Sequence, residues 1–157
     1  MDFGFLFTSL EGRINRKPYW IGTLILVLIN VVLTVALGAL LVFGIGMDPA
    51  AAGDALSLLL TLIMFALSVP IVVKRLHDRN KSAHHAWLLY GPAILFITAD
   101  AAGMTDIATK PHALVYVLAV ATVSTAVWFF IELGFLRGSA GPNRYGPDPL
   151  VEPAPAR

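Results

Sequence analysis

The sequence predicts an all-α integral membrane protein that folds as one four-helix bundle. Of its 157 residues, 57% are hydrophobic and only 13% are charged, whereas about a quarter of the residues in a soluble domain are charged. The charged residues are also segregated, so that they leave four long apolar runs. Each run offers about the 17–25 residues that a helix needs to cross a bilayer. This composition excludes an ordinary soluble domain.

The first elements follow from the N-terminal region. Residues 1–17 mix apolar and charged side chains, a pattern that favours a short amphipathic segment at the level of the lipid headgroups. Pro18 suits the first turn of a helix, and Tyr19 and Trp20 are typical of the membrane interface. The first span is predicted over residues 19–46. It exceeds the roughly 7–15 apolar residues of a signal peptide, so we interpret it as an uncleaved span.

Three further spans follow the first. A short acidic turn without Lys or Arg precedes the second span, which is predicted over residues 55–73. Residues 74–85 are predicted to form a basic loop, because charged side chains replace the apolar run there. The third span is predicted over residues 86–104 and the fourth over residues 112–136.

The chain is predicted to form a single membrane domain over residues 1–149. After the fourth span, glycine and proline recur so often that they exclude regular secondary structure. Residues 150–157 are predicted to form a disordered tail.

Orientation is predicted from the distribution of Lys and Arg, which remain on the cytoplasmic side of a membrane. With four spans, ten basic residues share one side and a single one lies on the other. The ten are Arg13, Arg16, Lys17, Lys74, Arg75, Arg79, Lys81, Arg137, Arg144 and Arg157, and the single one is Lys110. Both termini are therefore expected in the cytoplasm. A re-entrant third span would lower the ratio to eight against three.

Three predicted cytoplasmic segments are more specific than topology requires. Residues 11–20 read EGRINRKPYW, residues 74–78 read KRLHD, and residues 138–149 read GSAGPNRYGPDP. In this order and spacing they resemble the DUF805 family of small bacterial inner-membrane proteins. Members of that family show a GRxxRxxYW segment, an RRLHD segment and a closing GxxGxNxYGxxP segment.

The resemblance spans nearly the whole chain, with two departures. Lys74 stands where the first Arg of the pair is usual, and residues 83–86 are inserted where a Ser-Gly-Trp step is usual. The resemblance implies a multi-pass protein of the bacterial inner membrane. It implies no reaction and no cofactor, and no catalytic residue can be carried over from it.

The specific segments supply a candidate face for lipid headgroups or a protein partner. Each basic residue near an anionic membrane surface contributes about 1 kcal/mol of attraction. The candidate residues are Arg13, Arg16, Lys17, Tyr19, Trp20, Lys74, Arg75, His77, Asp78, Arg79, Asn143 and Tyr145. The alternative interpretation is that these charges only set the topology.

No catalytic, cofactor or metal site is assigned. The sequence contains no G-x-S-x-G, H-E-x-x-H or P-loop motif. His77 and His84 could share a helix face, but their spacing is not that of a structural zinc site. The basic residues flank the spans rather than form a stripe, so nucleic acid is not an expected partner.

We therefore expect a non-enzymatic scaffold or accessory subunit of the membrane. Its expected partners are membrane lipids, together with a protein partner or further copies of the same chain. The alternative is an oligomeric component of a small transporter or channel. Apart from Asp100 near the end of the third span, Asn30 and Glu132 are the strongly polar side chains within the predicted spans, which is few for a transport pathway.

Glu132 is expected to form a buried ion pair. It lies five positions before Arg137, hence about 7.5 Å below the end of the fourth span at about 1.5 Å per residue. A carboxylate at that depth is expected to turn inward to a basic partner. Arg75 at the end of the second span is the predicted partner, with Arg137 as a competitor. The alternative is a carboxylate that reaches the interface without a partner.

Overall fold

The computed structural model describes residues 2–105 and 112–151 and confirms the all-α prediction. Within these residues no strand forms, and the only β-type pairing is an isolated bridge between Asn143 and Gly146. The helices are α1 (Phe3–Thr8), α2 (Arg16–Ala39), α3 (Pro49–Asp78), α4 (Ala86–Ala101) and α5 (Ala113–Gly134). Most of the predicted disordered tail, residues 152–157, lies outside the described residues.

Local sequence determines where several helices begin. Asp2, Asn15 and Asp48 occupy the N-cap positions of α1, α2 and α3, and each side chain accepts hydrogen bonds from backbone N–H groups of the first turn. Those N–H groups have no partner within their own helix, so the caps satisfy them. Pro49 follows its cap at the position where a missing N–H costs nothing.

Three helices have the length and composition of membrane spans. α2 with the π-helical turn that extends it (Leu40–Gly44) has 29 residues, α3 has 30 and α5 has 22. α4 has only 16 residues, about 24 Å at about 1.5 Å per residue, and the hydrocarbon core of a bilayer is about 30 Å thick. The predicted third span is therefore shorter than expected, and it stops before Gly103, which has a φ of 72°.

The second span differs most from its prediction. The helix does not end at residue 73 but continues to Asp78, so that the first part of the predicted basic loop is helical. Lys74, Arg75, His77 and Asp78 are buried in the protein. The sequence-based boundary differs because it ended the span at the first charged residue, whereas α1 and the C-terminal region cover these charges.

The helices form two close pairs, α2 with α3 and α4 with α5, and α1 lies against α3. Two small apolar clusters hold the pairs together, both near the end of α3. One consists of Val72, Leu76, Ala86, Tyr90, Phe129 and Leu133, and the other of Leu6, Ile14, Leu26 and Ile71. Along the rest of the helices, large apolar side chains are exposed, as on a surface that faces lipid.

Trp20 joins the start of α2 to the end of α5. Its indole Nε1 donates a hydrogen bond to the carbonyl oxygen of Gly134 at 3.1 Å. The ring lies so close to α5 that a Cβ at position 134 would be 2.6 Å from Trp20 Cζ2. Glycine is therefore required at this position for the two helix ends to meet.

Replacing Gly134 with alanine should lower the stability of the bundle. The added methyl group must displace the Trp20 ring, and such overpacking costs about 1–3 kcal/mol. Gly53→Ala is the matched control, because a Cβ at position 53 would meet no atom within 4 Å and alanine favours a helix over glycine by up to about 1 kcal/mol. Thermal unfolding in detergent measures both variants. Equal melting temperatures would contradict the close approach of α2 and α5.

Candidate functional site

A buried carboxylate lies at the centre of the specific segments. Asp78 is 2% exposed, and its two oxygens each face an arginine. Arg13 Nη2 lies 3.0 Å from Asp78 Oδ1, and Arg75 Nη1 donates to Asp78 Oδ2. The arginine side chains are 1% and 0% exposed. Two buried cations thus share one buried anion, an arrangement that needs further hydrogen bonds to the guanidinium groups to be stable.

Arg75 obtains these hydrogen bonds from the end of α5 and from the residues just after it. Its Nε donates to Leu133 O at 2.7 Å and its Nη2 to Leu136 O at 2.6 Å. Carbonyl groups at the C-terminus of a helix lack partners within the helix and attract cations. Arg75 therefore fixes the end of α5 to the end of α3.

Arg13 obtains its hydrogen bonds from residues 137–149, which we term the closing segment. Arg13 Nη2 donates to Ser139 O and Nη1 to Gly141 O, both at 2.8 Å. Ser139 N in turn donates to Asp78 O at 2.8 Å. Gly138 lies against the Asp78 carboxylate, and a Cβ there would overlap it. We call Arg13, Arg75, Asp78 and Ser139 the Asp78 cluster.

His77 joins the same three segments beside the Asp78 cluster. Its Nδ1 lies 3.2 Å from Gly12 O, and its carbonyl oxygen accepts a hydrogen bond from Asn143 Nδ2 at 2.9 Å. The imidazole ring stacks on Tyr145, with centroids 3.8 Å apart and planes 6° from parallel.

Within the described residues, no three His, Cys, Asp or Glu side chains are grouped so that they could hold a metal ion.

Lys74 is fully buried and binds the N-terminal helix. Its Nζ donates to the carbonyl oxygens of Phe5 and of Leu6, the latter at 2.8 Å. The ammonium also lies 4.3 Å from the centre of the Phe5 ring, within the range of a cation–π interaction. The predicted amphipathic segment therefore contains α1, which covers a buried lysine.

The predicted ion pair between Arg75 and Glu132 does not form. Glu132 Oε1 instead lies 3.0 Å from Arg79 Nε and 2.8 Å from Lys81 Nζ. Arg75 is unavailable because Asp78, one helical turn further along α3, already occupies its guanidinium. The competitor Arg137 contributes only its carbonyl oxygen, which accepts a hydrogen bond from Arg79.

The structure divides the candidate face into a buried and an accessible part. Arg13, Lys74, Arg75, His77 and Asp78 are buried and bind other parts of the chain. The accessible part consists of Arg16 and Lys17, which are exposed, and of Tyr19, Trp20, Arg79, Asn143 and Tyr145, which are partly exposed. Of the candidate face, therefore, only the second set is accessible to a molecule outside the protein.

Sequence reasoning missed several residues of this region as site residues. Gly138 and Ser139 contact Asp78, and Lys81 pairs with Glu132. Gly138 and Ser139 belong to the closing segment on which the family resemblance rested. The sequence therefore marked them as specific, but it did not indicate that they contact Asp78. Nothing in the sequence indicated which carboxylate would form an ion pair with Lys81.

A cavity of about 300 Å³ opens beside the Asp78 cluster, between the start of α2 and the closing segment. Four basic and two acidic side chains line it: Arg16, Lys17, Arg75 and Arg137, and Asp78 and Asp148. Within residues 2–105 and 112–151, Arg16, Lys17 and Arg137 form no ion pair. The backbone N–H groups of Leu150 and Gly141 hold the pKa of the Asp148 carboxyl below its usual range.

Removing the charge of Asp78 should destabilise the protein strongly. Asp78→Asn leaves two buried guanidinium groups without their anion, and breaking such a pair costs about 3–5 kcal/mol. Glu132→Gln is the matched control, because its partners Arg79 and Lys81 are 25% and 28% exposed and water can solvate them. Thermal unfolding in detergent should show a much larger loss for Asp78→Asn. A larger loss for Glu132→Gln would contradict the central role of Asp78.

Comparison with known proteins places the chain among bacterial membrane proteins. It is 26% identical over 147 residues to inner membrane protein YhaH of Escherichia coli strain K12, and equally to that of strain O157:H7. The alignment covers 94% of this chain and 92% of each relative. No solved structure matches the chain.

The matching family model covers all the segments that form the Asp78 cluster. The family described as a protein of unknown function, DUF805, matches residues 7–147. That range contains Arg13, Arg75, Asp78 and Ser139, so the whole cluster lies within it. Because the match covers most of the chain, the protein belongs to the DUF805 family.

Proposed function

We propose that this protein is a non-enzymatic membrane protein that binds the phosphate headgroups of anionic lipids. The site is the cavity between the start of α2 and the closing segment. One observation carries the proposal: Arg16, Lys17 and Arg137 line this cavity without an ion pair among the described residues. Cations that lack an anion among the described residues are available to an anion from outside.

The charge balance of the cavity supports an anionic ligand. Asp78 is neutralised by Arg13 and Arg75. Asp148 points its oxygens at backbone N–H groups, with Gly141 N at 2.9 Å and Leu150 N at 3.0 Å. Both carboxylates are thus already partnered, and the remaining basic groups face the cavity. The first turn of α2 adds the positive end of a helix dipole.

The position of the cavity supports a headgroup rather than a ligand from bulk water. Arg16 and Lys17 directly precede Tyr19 and Trp20, aromatic residues typical of the interface of a membrane. The large exposed apolar side chains of α2, such as Leu24 and Leu28, begin one to two turns later. A lipid phosphate at the interface would therefore lie at the level of the cavity.

The proposed topology has four spans with both termini in the cytoplasm of a bacterial inner membrane. The inner-membrane relatives and the three long apolar helices support a multi-pass arrangement. α4 is the third of the four spans in this proposal, because it pairs closely with α5 and no charged side chain precedes Asp100 within it. The ten-to-one distribution of basic residues supports the orientation.

The buried network supports a scaffold role. It uses the specific charged residues to fix helix ends and leaves a preorganised basic surface. A protein partner or a second copy of the chain could use the same surface. The alternative of an oligomeric transporter or channel finds less support, because the charged side chains of the described helices gather near helix ends rather than along a path through the spans.

Anionic lipid should stabilise the purified protein through this cavity. Phosphatidylglycerol should raise the melting temperature in detergent more than phosphatidylcholine or inorganic phosphate does. Each basic residue contributes about 1 kcal/mol of attraction, so Arg137→Gln should weaken the apparent affinity about fivefold, and added salt should weaken it further. Arg144→Gln is the matched control, since Arg144 is an exposed basic residue that does not line the cavity.

Two results would overturn the headgroup proposal. One is equal stabilisation by phosphatidylglycerol and phosphatidylcholine. The other is an equal loss of affinity in Arg137→Gln and Arg144→Gln, which would mean that only the overall charge matters. Stabilisation by inorganic phosphate alone would assign the site to a soluble anion.

The topology can be tested with single cysteines, because the natural sequence contains none. In spheroplasts, a membrane-impermeant thiol reagent should label Ala51→Cys and His112→Cys, which lie at the proposed outer ends of α3 and α5. It should label His84→Cys only after permeabilisation. All three native side chains are exposed in the structure, so burial cannot explain a difference. Labelling of His84→Cys in intact spheroplasts would contradict the orientation.

A further inference from the structure

A second cavity, of about 500 Å³, lies among the helices between the α2–α3 pair and the α4–α5 pair. Ligand sites in proteins have volumes of about 300–1,000 Å³ and are mostly apolar, with a few polar groups that orient the ligand. No charged side chain is among the described residues that line this cavity. Val27 and Val31 on its rim are 52% and 53% exposed, so the cavity opens sideways onto the lipid-facing surface.

Two hydroxyl groups of the lining satisfy each other. Ser68 Oγ donates its hydrogen to Phe65 O at 2.8 Å. Tyr90 Oη lies 2.8 Å from Ser68 Oγ, and a serine hydroxyl has a single hydrogen. Tyr90 must therefore be the donor of that hydrogen bond. Neither group has a hydrogen left to offer a ligand.

Thr122 and Asn30 do have unused donors. Thr122 Oγ1 is buried and has no hydrogen-bond partner among the described residues. Asn30 lines the same cavity, and its carboxamide makes no hydrogen bond within the described part of the chain. By contrast, the Thr125 hydroxyl donates to Ala121 O at 2.9 Å. A hydrogen bond to the carbonyl four residues earlier is the usual way for a threonine within a helix to satisfy its hydroxyl. A buried hydroxyl without a partner is rare and calls for an explanation.

We infer that this cavity binds a neutral, membrane-soluble molecule whose carbonyl oxygens accept hydrogen bonds from Thr122 and Asn30. The ligand is neutral because no charged side chain is among the described residues of the lining, and it is largely apolar because most of the wall is. It enters from the bilayer through the opening beside Val27 and Val31. A bare acyl chain would fill the space but would leave the Thr122 hydroxyl unsatisfied.

Carbonyl oxygens of this kind occur in quinones and in the esters of diacylglycerol. The first test compares three probes by their effect on the melting temperature of the purified protein, since a ligand of the native state raises it. The probes are a decyl-substituted benzoquinone, a short-chain diacylglycerol and decylbenzene, which has no oxygen. A saturable rise with either carbonyl probe, larger than with decylbenzene, is expected and identifies the source. Equal rises with all three probes would overturn the inference.

The second test locates the hydrogen bonds. Thr122→Val keeps the shape of the side chain and removes the hydroxyl, so the concentration of probe at half-maximal effect should rise about fivefold, the value of one hydrogen bond. Asn30→Leu should act in the same direction, and Thr122→Ser should restore binding. Thr125→Val is the matched control and should not change it. Unchanged binding in both Thr122→Val and Asn30→Leu would overturn the inference.

The stability of the ligand-free protein provides an independent check. Replacing an unsatisfied buried hydroxyl with a methyl group is neutral or stabilising, whereas removing a bonded one is not. Ligand-free Thr122→Val should therefore melt no lower than the natural protein, and Thr125→Val should melt lower. A lower melting temperature for Thr122→Val than for Thr125→Val would mean that the Thr122 hydroxyl is bonded, against the inference. These outcomes do not depend on the headgroup site.

Discussion

The structure depends on a single carboxylate that neutralises two buried arginines. Asp78 faces Arg13 on one side and Arg75 on the other, and all three side chains are at most 3% exposed. Coulomb attraction alone rarely compensates for the loss of hydration of such groups. Backbone carbonyls of Leu133 in α5, of Leu136 just after it and of the closing segment supply the remaining hydrogen bonds. The order of this end of the protein therefore follows from the need to satisfy two guanidinium groups.

The remainder of the protein is held together much more weakly. Both apolar clusters lie close to the Asp78 cluster, and most large apolar side chains further along the helices are exposed. In a bilayer such side chains gain little by leaving lipid for protein, so helix contacts there have no strong hydrophobic driving force. This explains why a cavity persists between the two helix pairs. It also explains why the family-specific segments gather around the Asp78 cluster, where polar contacts hold the helices together.

Sequence reasoning predicted the class of the fold and the approximate position of each long helix, because long apolar runs are a local signal. It failed at Lys74, where a charge was taken as the end of a span although the helix continues to Asp78. It also assigned Glu132 to Arg75 rather than to Arg79 and Lys81. The first error arose because Lys74 is buried by α1, whose contact with α3 is distant in the sequence. The second arose because Asp78, one turn along the same helix, already pairs with Arg75.

The closing segment also imposes an order on biosynthesis. Residues 137–149 follow all five helices, so the ribosome produces Arg13 and Arg75 long before Ser139 and Gly141, whose carbonyl oxygens bind Arg13. Until then Arg13 lacks part of its hydrogen bonding, and hydration at the membrane surface must replace it. At about 5–20 residues per second, the 126 positions between Arg13 and Ser139 take about 6–25 s to synthesise. The Asp78 cluster can therefore be completed only after the chain of all the labelled helices, α1 to α5, has been synthesised.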